Sequence, residues 1–184
     1  MTPADADGLH AVFGDPANYA DGYVMHPPSA EPADTAAIVT ARLAMGGGHV
    51  AYTATLVADG PLGEAGTVVG TSSIGDVDLH NERTHIGWTM WGNRWWGTAV
   101  NPEAKLLMLS HCFDDCGFGR VKIQTDALNQ RSQAAIAKLG AQREGVMRRH
   151  TRRADGSFRD TVVYSVVRDE WPEVKAGLEA RLAN

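Results

Sequence analysis

Apolar positions recur along this chain in two periods, and the points where the period changes divide it into elements. Thr2 and Pro3 followed by Asp5 and Asp7 read as an N-cap, a first-turn proline and acids suited to the helix dipole, opening a helix to about Phe13. Residues 18–32, rich in Gly, Pro and Asp without period, predict a loop. A second helix follows from about Ala33 to Met45 and ends at Gly46, Gly47 and Gly48. From His49 the period shortens to two. Residues 49–58 and 67–78 predict an antiparallel hairpin around a turn at Asp59–Gly66, and a third strand spans about 83–91. Strict alternation on that strand puts His85, Gly87, Thr89 and Trp91 on one face and Ile86, Trp88 and Met90 on the other. A helix follows Gly97 to about Cys116, with Leu106, Leu109 and Phe113 on one stripe and Gly117 closing it. Then come a strand (120–127), a helix (130–140) with Gly140 at its C-cap, two strands around Ala154-Asp155-Gly156, and a last helix from about Asp169. This order predicts an α+β fold. No repeat or linker divides the chain, so a single domain over residues 1–184 is expected.

Composition narrows the function classes. With 184 residues and 43% hydrophobic content the chain can bury one substantial core. Its 22 acidic and 17 basic side chains give a formal charge of −5, which offers no general attraction to nucleic acid or anionic membrane. No apolar run reaches bilayer-spanning length and no basic-then-apolar leader opens the chain, so a cytoplasmic protein without a membrane partner is expected. Cys112 and Cys116, four apart on a helix, predict two buried free thiols. No metal-ligand spacing accompanies them, so no metal is expected.

The segment Arg94-Trp95-Trp96-Gly97-Thr98-Ala99 lies between a strand and a helix, where free backbone amides converge and the helix dipole favours an anion. Gly97 allows close backbone approach, the small Thr98 and Ala99 leave their amides open, and Arg94 adds a charged donor. The pattern fits neither of the usual dinucleotide and nucleoside-triphosphate loops. It resembles the Gln/Arg-x-x-Gly-x-Gly/Ala pyrophosphate loop of GNAT acetyltransferases. His85-Ile86-Gly87-Trp88-Thr89 precedes it where that family carries a Glu-Ile-Gly-Tyr-like strand. Asn129 with Ser132, then Lys138-Leu139-Gly140, then residues 143–148 (Arg-Glu-Gly-Val-Met-Arg) follow in the family's order. The stretches 159–165 and Glu170-Trp171-Pro172 are similar to the branch of ribosomal-protein N-terminal (RimJ/RimL-like) acetyltransferases, so the resemblance spans about residues 67–172.

The resemblance implies a mostly antiparallel mixed sheet with splayed middle strands, flanked by helices. It also implies transfer of an acetyl group from acetyl-CoA to a primary amine by direct attack in a ternary complex. The backbone around Met90 and Trp91 would bind the pantetheine arm, the loop from Arg94 through Trp95, Trp96, Gly97 and Thr98 to Ala99 the diphosphate, and Asn129 and Ser132 the coenzyme arm. Asn129 reads equally well as a helix N-cap, and Ser132 as an exposed helix serine or as a donor to the leaving sulfur. The family's general-acid Tyr position holds Ile136, which raises the weight on Ser132. His85 stands where the family carries Glu and suits proton relay, against the reading of a half-buried strand histidine. Asp76, Glu82 and Asp160 are the alternative bases. Trp88 is read as core, and the arginines 143, 148, 149, 152 and 153 as a solvated hairpin face or an anion site. The usual first strand is missing before the opening helix, which would leave a sheet edge open to pairing in a homodimer. The rival readings are a non-catalytic acyl-CoA-binding domain and, disfavoured by the acidic charge, an RNA-binding module.

Overall fold

The structure, a computed structural model, describes residues 1–22, 27–153 and 155–183. Residues 23–26 of the predicted loop and Ala154 of the predicted turn fall outside them. Six strands form one sheet: β1 (Val50–Thr55), β2 (Val68–Asp78), β3 (Arg83–Trp91), β4 (Arg120–Asp126), β5 (Gln142–Arg152) and β6 (Phe158–Val167), in the order β1-β2-β3-β4-β6-β5. Five helices surround it: α1 (Ala6–Phe13), α2 (Pro32–Leu43), α3 (Val100–Ser110), α4 (Gln130–Lys138) and α5 (Trp171–Leu182). All neighbours are antiparallel except β3 and β4, which pair in parallel at Arg83 with Arg120, Thr84 with Val121 and His85 with Lys122, and then part. The expected splayed, mixed sheet is present, and no strand precedes α1 among the described residues.

One sheet face packs Ile74, Ile86, Val121, Val162 and Val166 against Leu109 and Phe113 of the α3 segment and Trp171, Val174 and Leu178 of α5. Over the other face lie α1 and α2, where Arg42 donates to Thr71 Oγ1 at 3.1 Å and Leu9, Val12, Val39 and Met90 form a second cluster. Burial of these stripes, worth about 1.5–3 kcal/mol per large apolar side chain, is what holds helices of only 8 to 12 residues in place.

Two expectations are corrected. Thr71 pairs with Met90 and Ser73 with Gly87, so Trp88 and Thr89 together oppose Ser72. This is a β-bulge, with Trp88 in the left-handed region at φ +50°. The bulge inverts the alternation. Ile86 and then Thr89 and Trp91 face α3, Trp91 also reaching the cluster around α1 that Met90 joins from the other side of the strand, and Trp88 is half-buried on a cleft wall instead of in the core. Second, the helix after Gly97 widens into a π-type turn at His111–Asp115, which changes its register. Cys112 is therefore buried while Cys116 is exposed.

The fully buried Leu109 carries the packing of α3 on the sheet. Leu109→Ala is expected to lower unfolding free energy by about 2–5 kcal/mol in urea titration. Leu107→Ala, two residues away and exposed, should change it by less than about 0.5 kcal/mol.

Candidate active site

The loop between β3 and α3 is pinned by indoles. Trp91 Nε1 donates to Asn101 Oδ1 (2.9 Å), Trp95 Nε1 to the Leu62 carbonyl (3.0 Å) and Trp96 Nε1 to the Trp91 carbonyl (2.9 Å). The buried Asn18 ties this loop to α1, donating to the Val12 carbonyl at 2.6 Å and accepting from the Asn93 amide. Gly97 has φ +76°, and a Cβ there would meet nothing within 4 Å, so its conformation, rather than crowding, calls for glycine. Among the described residues the Gly97 and Ala99 amides meet no acceptor. Two orphan donors at the start of an eleven-residue helix make a place for an anion.

Beyond His85 the facing edges of β3 and β4 open into a cleft of about 980 Å³. Met90, Trp91, Trp95, Trp96, Gly97 and Thr98 line it from the β3 side, and Asn129, Ser132 and Ile136 from α4 and its approach. Asp76, His85 and Trp88 line its other end. Of the residues singled out from sequence, Arg94 and Ala99 are not on these walls. The Arg94 guanidinium lies 4.6 Å over the Trp95 ring and donates to the Leu62 carbonyl. Arg131 does line the cleft, stacked 3.1 Å over Trp96. The Asn129 side chain accepts the Ser132 amide at 2.9 Å, so its oxygen caps α4.

His85 is 3% exposed, and its ring meets Trp88 at 4.9 Å between centroids, with His49 on another side of the same indole at 4.6 Å. Its Nδ1 lies 3.3 Å from Asp76 Oδ2, ion-pair distance without hydrogen-bond alignment. Burial and then the Lys122 ammonium push its pKa down to about 4, against the pull of Asp76, so the imidazole is neutral at neutral pH. Burial opposes ionisation of Asp76, and Lys122 Nζ at 3.0 Å more than offsets it, holding the carboxyl below its usual range. A second bulge, with Asp76 itself at φ +51°, aims that side chain at the pair. Of the other candidate bases, Asp160 accepts from the Arg149 amide at 2.7 Å, and neither it nor Glu82 is on the cleft walls. The arginine cluster is divided. Arg153 makes a bidentate ion pair with the buried Asp126 (2.8 and 2.8 Å), while Arg149 and Arg152 flank Phe158. Among the described residues no group of acids, histidines and cysteines is arranged to hold a metal, and no helix is long and apolar enough to cross a membrane.

A strand-to-helix anion site opening onto a cleft between parting parallel strands agrees with what known proteins show. A family model described as an acetyltransferase (GNAT) domain matches residues 1–142. The chain belongs to the GNAT acetyltransferase family. A T. thermophilus protein provisionally described as an acetyltransferase is 34% identical, with 99% of this chain and 90% of that one covered and a TM-score of 0.85. A GCN5-related N-acetyltransferase from Brucella melitensis is 24% identical over 96% of this chain and 77% of its own, with a TM-score of 0.83. The spermidine N-acetyltransferase of Vibrio cholerae, 9% identical over 93% of this chain and 92% of its own at a TM-score of 0.65, shares the fold alone. No curated protein matches the chain by sequence. The protein is therefore an N-acetyltransferase, and GNAT acetyltransferases draw their acetyl group from acetyl-CoA.

The depressed pKa of His85 has a consequence for stability. Between about 6.5 and about 4 the unfolded chain takes up a proton at this residue that the folded protein refuses, so folding weakens as pH falls through that window. His85→Gln is expected to lose this part of the acid sensitivity, read as a smaller change of urea midpoint between about pH 7 and about pH 4.

Proposed function

We propose that this acetyltransferase acts on a primary amine, a protein N-terminus or a small-molecule amine, by direct attack in a ternary complex. We further propose that it stands near the RimJ/RimL-like branch. The observation that carries the reading is one cleft with orphan amides at one end and a neutral buried imidazole at the other. The amides of Gly97 and Ala99 would hold the diphosphate of acetyl-CoA, with Arg94, Trp95 and Trp96 bracing the loop; the Thr98 amide, expected to be open, instead donates to the Trp95 carbonyl at 3.4 Å. The backbone at Met90 and Trp91, with Asn129 and Ser132, would hold the arm. Acetyl-CoA, when bound, supplies the activated acetyl group.

An amine reacts only in its neutral form, and an amine with a reference pKa of about 10.4 must give up a proton first. His85 is neutral and buried beside Asp76, which is half exposed, so a proton accepted on the ring has a carboxylate next to it and a route to water. Ser132 lines the same cleft, where its hydroxyl would donate to the departing sulfur in place of the tyrosine at whose position Ile136 stands. Cleft walls that hold both reactants together would contribute the remainder.

Calorimetric titration with acetyl-CoA, compared with Gly97→Glu, tests the reading. The variant adds a carboxylate at the phosphate loop and a side chain at a left-handed position, and binding is expected to weaken by at least about a hundredfold. His85→Ala should lower kcat by about tenfold or more with acetyl-CoA affinity nearly unchanged, and Ser132→Ala should lower kcat by a similar factor and weaken acetyl-CoA binding as well. Acetyl-CoA binding by the wild type without thiol release from any amine of a broad panel would instead favour a non-catalytic coenzyme-binding domain.

A further inference from the structure

Within the apolar stripe by which α3 meets the sheet lies a lysine. Lys105 is 4% exposed, and its Nζ donates to Thr89 Oγ1 at 2.9 Å and Ser72 Oγ at 3.2 Å. The two hydroxyls are 2.7 Å apart, and Ser72 also reaches the Gly87 carbonyl at 3.4 Å. No ion pair among the described residues includes this ammonium. A buried charge met only by neutral hydroxyls weakens folding, and a methionine of similar length would serve the packing better.

The position of the two hydroxyls is informative. Thr89 is the second residue of the β3 bulge and Ser72 the residue opposite it, so Lys105 closes a hydrogen-bonded clamp on the irregularity that turns Trp88 toward the cleft. Lys105 itself is on the cleft wall, and its charge adds to the repulsion that keeps His85 neutral.

We propose that Lys105 is a positioning residue for acetyl transfer. Through Thr89 and Ser72 it locks the β3 bulge into the cleft wall and holds an uncompensated positive charge beside β3, whose backbone at Met90 and Trp91 would hold the coenzyme arm. This rests on the acetyl-transfer reading above. In the transfer the carbon–sulfur bond breaks as the carbon–nitrogen bond forms, the amine proton passes to His85, and negative charge grows on the carbonyl oxygen and the sulfur. Lys105 neither gives nor takes a proton; its charge favours the build-up of negative charge on the carbonyl oxygen and the sulfur.

Burial alone lowers the Lys105 pKa to about 7, so the charge fades as pH rises through that value. The same cleft walls carry Arg42 of α2, Asp126 of β4, Arg131 and Lys138 of α4, Arg159 of β6 and Arg181 of α5. His85 of β3 is neutral in this range, and Asp76 of β2 and Lys122 of β4 pair beside it. Burial raises the pKa of Tyr52 on β1 and pushes that of Cys112, past the end of α3, up to about 12, so both stay neutral. Helix α5 meets α3 with the apolar Trp171, Val174 and Leu178.

The test compares wild type, Lys105→Met and Lys105→Gln by acetyl-CoA calorimetry and by thiol release against pH. The acceptor is an amine that the wild type uses, drawn from a panel of peptide N-termini and small primary amines. Both variants are expected to fold, to bind acetyl-CoA within about threefold of wild type, and to lose on the order of tenfold to a hundredfold in kcat at about pH 6. They should also lack the wild-type fall in kcat above about pH 7. Glutamine keeps polar atoms for the clamp but no charge, so a glutamine variant with the wild-type rate and pH profile overturns the proposal. Loss of coenzyme affinity in step with rate also overturns it, because it marks a purely structural lysine. A wild-type protein that binds acetyl-CoA but releases no thiol with any amine removes the underlying reading instead, and does so without reference to the variants.

Discussion

Two parallel strands that stop pairing after three residues give up backbone hydrogen bonds in the middle of a sheet, and the rest of the protein is arranged around that loss. The opening between β3 and β4 becomes the cleft. The β3 bulge stands on one of its walls, with a tryptophan held in a left-handed conformation that costs on the order of 1–3 kcal/mol. Such strain persists only where neighbours over-determine it. Here the neighbours are the paired strand β2, the hydroxyls of Ser72 and Thr89, and the ammonium of Lys105 behind them.

The same opening sets the electrostatics. Cations outnumber carboxylates on the cleft walls, and Asp126 is occupied by Arg153 in a bidentate pair. The excess positive charge suits an anion, and burial beside Lys122 and Lys105 leaves the resting His85 imidazole neutral, with one ring nitrogen protonated and the lone pair of the other open. The open amides near Gly97 and the buried His85 thus share one charge distribution. The chain as a whole is acidic, at −5, so this local field arises from the fold and not from composition.

Much of the architecture was legible in the chain. The hairpin around Asp59–Gly66, the strand-loop-helix at Trp91–Val100, the Asn129 cap and the helix it opens all follow from period and punctuation, because each is set by contacts within a few residues. The open amides of the loop before α3 were legible for the same reason: a glycine between a strand and a helix already implies them. Three features were not. A bulge adds a residue to one strand only relative to its partner, so the inverted faces of Thr89, Met90 and Trp91 cannot be seen on β3 alone. The π-type turn that exposes Cys116 is a change of helical pitch with no composition of its own. Lys105 occupies a core position of the α3 stripe, a mismatch visible in the pattern, but its partners Ser72 and Thr89 lie 33 and 16 residues away.

The sequence by itself therefore determined the elements, their order, the glycine loop before α3 and, through ordered motifs, the family. Tertiary structure alone decided which side of β3 faces the cleft, that His85 is buried between a carboxylate and a lysine, and that an ammonium without a carboxylate partner stands behind the bulge. The physical reason is range. Helix periods, caps and turns are fixed by neighbours along the chain, whereas burial, field and pKa are fixed by whatever the fold brings alongside.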